Sequence, residues 1–292
     1  MERRARRIAI LGIVVSALLA ILKITVGTLA HSAAVRADGF ESATDVLTSG
    51  LMLVGLALAS RPADENHPYG HGRVDIVVGL LLGFILAGAG VAIAWHGLTG
   101  AGDETRVPAS WAVWPLIISI GAKFWLVYAK YAHGRQIGSA SMVAGAANDA
   151  SDMLSGVVAL AALGLTLSDP AKFLRADHWG AFGVGLIVTI TGFRVMHESS
   201  MELMDTMPDT ATMSKIREVA LSVEDVFGVE KCFARKTGFK YHVDLHLEVD
   251  PEITVRESHN IATRVRERIR QQLPWVDDVL VHVEPYPGEL PG

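Results

Sequence analysis

Phe40-Glu41-Ser42-Ala43-Thr44-Asp45-Val46-Leu47 places two carboxylates one helical turn apart inside an apolar stretch, residues 37–60, that is long enough to cross a membrane. Residues at i and i+4 lie on one face of a helix, so both side chains aim at one region. An ionised Asp at the centre of a bilayer helix costs roughly 2.5–3.5 kcal/mol even on insertion scales. Such a pair persists where it meets a polar cavity, a partner or an ion. A later apolar stretch, 141–167, carries a second polar pair at the same spacing, Asn148 and Asp152. Two helices facing each other would present four oxygen-bearing groups to one cation. Asp149, next to Asn148, would reach the same place after a modest helix rotation.

Working outward, six windows hold about 20 mostly apolar residues each: 8–29, 37–60, 74–98, 111–131, 141–167 and 178–200. The expected fold is therefore a six-helix transmembrane domain over residues 1–206, followed by a small domain over 207–292. The mean hydropathy of +0.34 fits a membrane part joined to a polar part. Met1–Arg7 carries four arginines before an apolar run too long for a signal peptide core, which reads as a retained first span. An even number of spans puts both termini on one side. The N-terminal arginines, with Arg61, Arg73, Lys130 and Arg135, outweigh Arg106, Lys172 and Arg175, so the termini are expected in the cytoplasm. A formal charge of −5 argues against a nucleic-acid partner. A single cysteine, Cys232, excludes an intramolecular disulfide and a multi-cysteine zinc site.

Beyond Met207-Pro208 the pattern reads αββαβ, a small α+β sandwich. The spacing predicts a helix over 209–223, a strand over Val229–Arg235, an alternating strand over Tyr241–Val249, a helix over 256–273 and a last strand over Val279–Val283.

Three constellations carry chemistry. Glu41, Asp45, Asn148 and Asp152 supply oxygen donors only, which suit Mn²⁺ and Mg²⁺ and tolerate Fe²⁺ or Zn²⁺; interhelical hydrogen bonding is the plainer reading of an isolated Asn, and three carboxylates in two matched pairs favour an ion site. Asp64, His67 and His71 lie in the short loop between the second and third spans, where Pro68, Gly70 and Gly72 favour a tight turn and two imidazoles with a carboxylate can bind a transition metal. In the last domain, Asp244 and His246 share a strand face, as do His282 and Glu284, with His259 on the intervening helix. If these faces meet, imidazole and carboxylate ligands converge; otherwise they are scattered surface groups. Arg73 and Asp205, both near the cytoplasmic surface, form a candidate charge pair.

Together these residues resemble the cation diffusion facilitator family of divalent-metal/proton antiporters, over about residue 8 to Pro285. The resemblance rests on Asp64-Glu65-Asn66-His67-Pro68-Tyr69-Gly70-His71-Gly72-Arg73 directly after a span with an acidic i,i+4 pair, on Val243-Asp244-Leu245-His246, and on His282-Val283-Glu284-Pro285. It implies a homodimer in the cell (inner) membrane, with a metallochaperone-like cytoplasmic domain. It further implies efflux of divalent cations (Mn²⁺, Fe²⁺, Zn²⁺ or Co²⁺) in exchange for protons, with no cofactor and no enzymatic activity. Glu41, Asp45, Asn148 and Asp152 match the transport site, and Asp64, His67 and His71 match a loop metal site. His246, His259, His282 and Glu284 match cytoplasmic ligands at the dimer, and Arg73 with Asp205 a salt bridge locking subunits. The chain departs from zinc-selective members in having Asn148 where they have His, and Glu41 where Asp or His is common. Phe233, beside Cys232, replaces a cytoplasmic His of some members. Two other classes fit less of the sequence: an intramembrane metallohydrolase, for which no nucleophile or base stands near the quartet, and a metal-sensing scaffold that stabilises a partner transporter.

Overall fold

The computed structural model describes residues 2–100, 106–137, 140–238 and 240–288. The chain forms two compact units, Met1–Val54 with Gly79–Met196, and Gly55–Val78 with His197–Gly292.

The long helices are α1 Glu2–Leu29, α2 Ala33–Ala59, α3 Arg73–Thr99, α4 Val113–Ile137 and α5 Ala140–Ser168; a short helix α6, Pro170–Phe173, then precedes α7 Ala176–Leu203. Six of them are long and apolar enough to cross a membrane, so the six-span architecture holds. Their outward side chains are apolar, among them Leu18, Ile21, Phe84, Phe124 and Ile190, as lipid contact requires. Exposed Trp95, Trp114 and Trp179 sit at the end of α3 and the beginnings of α4 and α7. Alternating crossing brings those ends to one membrane face, where indole rings favour the interface.

Several helices start earlier than hydropathy indicates, and the cause is tertiary. Helix α2 begins at Ala33, four residues before the apolar window, because Asp177 from α7 caps it: Asp177 Oδ2 accepts from the Ala33 amide at 2.5 Å and the Ala34 amide at 3.4 Å, while Ser32 Oγ donates to Asp177 Oδ1 at 2.7 Å. In turn the Asp177 amide donates to Thr166 Oγ1, which starts α7 at Ala176. These orphan helix-end donors are thus satisfied by partners far along the chain. Packing between α3 and α7 depends on small residues. A Cβ at Gly185 would lie 2.3 Å from the Ala94 amide nitrogen, and one at Gly192 equally close to that of Ala87. Only glycine permits this backbone approach, the means by which membrane helices gain contact without a hydrophobic drive.

In the second unit, α8 (Thr210–Leu221), β1 (Gly228–Thr237), β2 (Lys240–Val249), α9 (Val255–Gln272) and β3 (Val276–Pro285) give the order αββαβ. The sheet runs β1-β2-β3, with β1 antiparallel and β3 parallel to β2. A parallel neighbour needs a crossover, which α9 supplies. On β2, Val243, Leu245, Leu247 and Val249 are buried under α8 and α9 with Ile216, Val265 and Ile269. His242, Asp244, His246 and Glu248 alternate onto the opposite face. Asp209 caps α8, accepting from the Thr212 amide at 2.9 Å, and Thr254 with Glu257 forms a capping box on α9. The strands outrun the alternating cores read from sequence, β1 by one residue at its start and two at its end, β2 by one at its start, and β3 by three and two, because ladder pairing tolerates polar ends.

Candidate metal sites

Within the first unit, α2 and α5 meet along their polar faces around a lysine from α4. Lys123 Nζ lies 2.5 Å from Asp152 Oδ2, 3.5 Å from Asp149 Oδ1 and 3.6 Å from Asp45 Oδ2, with the lysine side chain only 2% exposed. Lys130, two turns further along α4, sits 2.5 Å from Asp149 Oδ2. Glu41 is buried, its Oε1 accepting a 2.7 Å hydrogen bond from Ser155 Oγ; Glu41 Oε2 has no hydrogen-bond partner among the described residues. One turn before Glu41 on the same helix face, Asp38 pairs with Lys23 of α1 at 2.7 Å, both fully enclosed. Glu41, Asp45 and Asp152 therefore come together as the spacing requires. Asn148 does not join them: it is exposed, while Asp149 takes the inward position between two ammonium groups. Adjacent helix residues differ by about 100° in direction, and hydropathy alone leaves that rotation open. Lys123, Lys23, Asp38 and Ser155 were not singled out from sequence, and Lys130 was counted there only as a loop charge, whereas it lies within α4. The signal for Lys123 was present, since a lysine in the middle of the apolar window 111–131 is as costly as the acids that were noticed.

The loop cluster lies in the second unit. His67 Nδ1 is 3.0 Å from Asp64 Oδ1, His71 Nε2 is 3.5 Å from Asp64 Oδ2, and the two rings are 4.3 Å apart. One ligand atom from each residue falls within 4.8 Å of the others. His71 Nδ1 faces the Pro62 carbonyl at 3.2 Å, an acceptor, so that nitrogen carries the proton and Nε2 presents its lone pair to the cluster. Hydrogen bonds from the His67 side chain and amide hold Asp64 below the usual carboxylate range. Nearby, Arg73 Nη2 donates to Asp205 Oδ1 at 2.7 Å within one chain.

The third cluster stands on the open sheet face. His246 pairs with His282 in the β2–β3 register, their rings 4.9 Å apart; Glu284 Oε1 lies 2.6 Å from His246 Nδ1 and 3.5 Å from His282 Nε2. These three also fit one ligand sphere of 4.8 Å. Glu230 on β1 adds a carboxylate 4.0 Å from His246 Nδ1, and its contact with Glu284, together with that of His246, keeps Glu284 below the usual range. His259 is exposed on α9, the helix that covers the other sheet face, so it does not join this group within one chain. Phe233 is half exposed and pairs with Asp244, which puts an apolar ring on the cluster's face. Cys232 points into the core, where burial pushes its thiol up, and takes no part in either cluster.

Six membrane helices with a buried acidic site between two of them, and exposed imidazole–carboxylate clusters outside, define a membrane transporter of cations. Residues 9–204 match the model for the cation efflux transmembrane domain, and residues 208–286 match that for the cation efflux protein cytoplasmic domain. The chain belongs to the cation efflux family of metal transporters. It is 31% identical over 284 residues to the uncharacterized transporter YdbO of Bacillus subtilis, covering 97% of this chain and 96% of that one. It is 30% identical to the manganese efflux system protein MneS of the same organism, with 95% and 94% covered, and 30% identical to metal tolerance protein C1 of Arabidopsis thaliana, with 94% and 61% covered.

Proposed function

We propose that the protein exports a divalent transition-metal cation from the cytoplasm in exchange for protons, working as a homodimer in the cell membrane with both termini inside. The observation that carries this reading is the convergence of Asp45 and Asp152 from facing membrane helices on one buried cation, here the ammonium of Lys123, with Glu41 buried one turn before Asp45 and held to α5 by Ser155. Asn148, one turn before Asp152 and exposed, would add its amide oxygen to this set only after a rotation of α5. Metal and proton compete for buried carboxylates, which is the chemistry an antiporter needs. Rocking of the helices then opens the site to either side in turn.

An all-oxygen donor set favours Mn²⁺ and related hard ions over Zn²⁺, and two of the relatives carry manganese efflux in their names. The loop cluster of Asp64, His67 and His71 and the sheet cluster of His246, His282 and Glu284 act as secondary sites for borderline ions. The sheet cluster offers three ligands on an open face, one short of a tetrahedral set. His259 of a partner subunit is suited to supply the fourth and so to tie metal occupancy to dimer geometry. Flux of Mn²⁺ by the purified protein in liposomes, with and without a pH gradient, tests the core of this reading. Asp45→Ala and Asp152→Ala abolish flux while the protein stays folded; normal flux in either variant overturns the assignment.

A further inference from the structure

We propose that Lys123 is a tethered counter-ion of the transport site: its ammonium stands in the metal's place and yields to the metal on loading. The inference rests on the reading of Asp45 and Asp152 as metal ligands. Nζ lies 2.5 to 3.6 Å from an oxygen of each of Asp152, Asp149 and Asp45. A hard divalent cation binds carboxylate oxygens at about 2.0–2.6 Å. An ammonium and a metal ion cannot share those oxygens, and two cations so close repel strongly in an enclosed site.

The surroundings provide somewhere for the ammonium to go. Asp149 Oδ1 already lies 3.5 Å from Lys123 Nζ, and its second oxygen is held by Lys130. A small rotation of the four-carbon lysine stem trades Asp152 and Asp45 for closer contact with Asp149, so the buried ammonium is never left without a carboxylate. Asp149 is thus an anchor for displaced lysine rather than a metal ligand. The charges agree with a divalent cargo. With their protons released, the side chains of Glu41, Asp45, Asp149 and Asp152 against Lys123 and Lys130 leave two negative charges, which one divalent cation balances. Lys123 therefore weakens metal binding on purpose: it helps eject the ion once the site has opened to the far side, and it keeps the emptied site compensated on the return.

The test uses the full-length protein carrying His67→Ala, His71→Ala, His246→Ala and His282→Ala, so that Mn²⁺ titrates the membrane site alone. In that background Lys123→Met binds Mn²⁺ at least about tenfold more tightly, as expected for removal of a cation a few ångströms away, and turns over more slowly in liposomes. Lys123→Arg, which keeps the charge, gains no affinity. A monodisperse Lys123→Met protein with unchanged or weaker Mn²⁺ binding overturns the proposal. Should the single variant aggregate, Lys123→Met with Asp149→Asn removes a compensated pair and is compared with Asp149→Asn alone. The same gain supports the proposal and equal affinities overturn it. Asp45→Asn separates the two claims: loss of Mn²⁺ binding there keeps the site assignment standing whatever Lys123 does, and retention removes the site and this inference together.

Discussion

Ser155 Oγ donates a 2.7 Å hydrogen bond to Glu41 Oε1, joining α5 to α2 between two buried side chains, while the other oxygen of Glu41 lacks a hydrogen-bond partner among the described residues. On the proposed reading, one oxygen is oriented by the hydroxyl and the other is left to the metal. Removing the hydroxyl strands a buried acceptor, which costs about 1–3 kcal/mol. Ser155→Ala is expected to lower the thermal unfolding temperature of the purified protein and raise the KM for Mn²⁺ in liposomes. Ser155→Thr, which keeps the donor, is expected to restore both. Unchanged KM in Ser155→Ala would remove Glu41 orientation from the account.

Asn148 offers an amide oxygen where a histidine would offer a softer nitrogen. Imidazole suits Zn²⁺, whereas carboxylate and carbonyl oxygen suit Mn²⁺. Asn148→His is therefore expected to raise Zn²⁺ flux relative to Mn²⁺ flux, read in parallel liposome assays at matched ion concentrations. An unaltered ratio would show that Asn148 stands outside the coordination sphere, in keeping with its exposure.

Asp209 and Glu257 tie the two helix starts of the second unit to pH. Asp209 is held below the usual carboxylate range first by the Thr212 amide and then by its hydroxyl; Glu257 is held there by the Thr254 amide and side chain. A carboxylate whose folded value is depressed stabilises the fold above its unfolded value, near pH 4, and loses that contribution as pH falls through the folded one. Helicity of α8 and α9 is expected to be flat from neutral pH to about pH 5 and to decline below about pH 4. Thr254→Ala, which removes the reciprocal partner, costs about 1 kcal/mol at neutral pH, measurable by denaturant titration of the wild type and variant side by side.

The sequence made some of these relationships legible and hid others for definite physical reasons. Helix spacing alone brought Glu41 and Asp45 onto one face, and the loop of prolines and glycines was enough to bring Asp64, His67 and His71 together. Strand alternation separated Leu245 and Leu247 from His246 on β2. Helix rotation was not legible, because Asn148 and Asp149 are both polar and an apolar stripe cannot choose between them. The early start of α2 was hidden as well, since the capping carboxylate of Asp177 comes from 144 residues away. Lys123 was masked by its neighbours, a charge set in the middle of a long apolar window. The parallel pairing of β2 with β3 follows from the crossover through α9, which fixes His246 opposite His282 but sends His259 to the other side of the sheet.

That separation leads to the last prediction. Within one chain, His246, His282 and Glu284 make a three-ligand cluster, and His259 is out of its reach. If His259 of a second subunit completes the site, then His282→Ala and His259→Ala should both weaken Zn²⁺ binding at this cluster in the full-length dimer. Mixed dimers distinguish the arrangement. A subunit carrying His282→Ala paired with one carrying His259→Ala retains one intact composite site, whereas a doubly substituted subunit paired with wild type retains none, because each site then lacks one ligand. Zn²⁺ titration of tag-selected mixed dimers reads this directly. Retained binding by the doubly substituted pairing would mean that His259 is no ligand and that the cluster is complete within one chain.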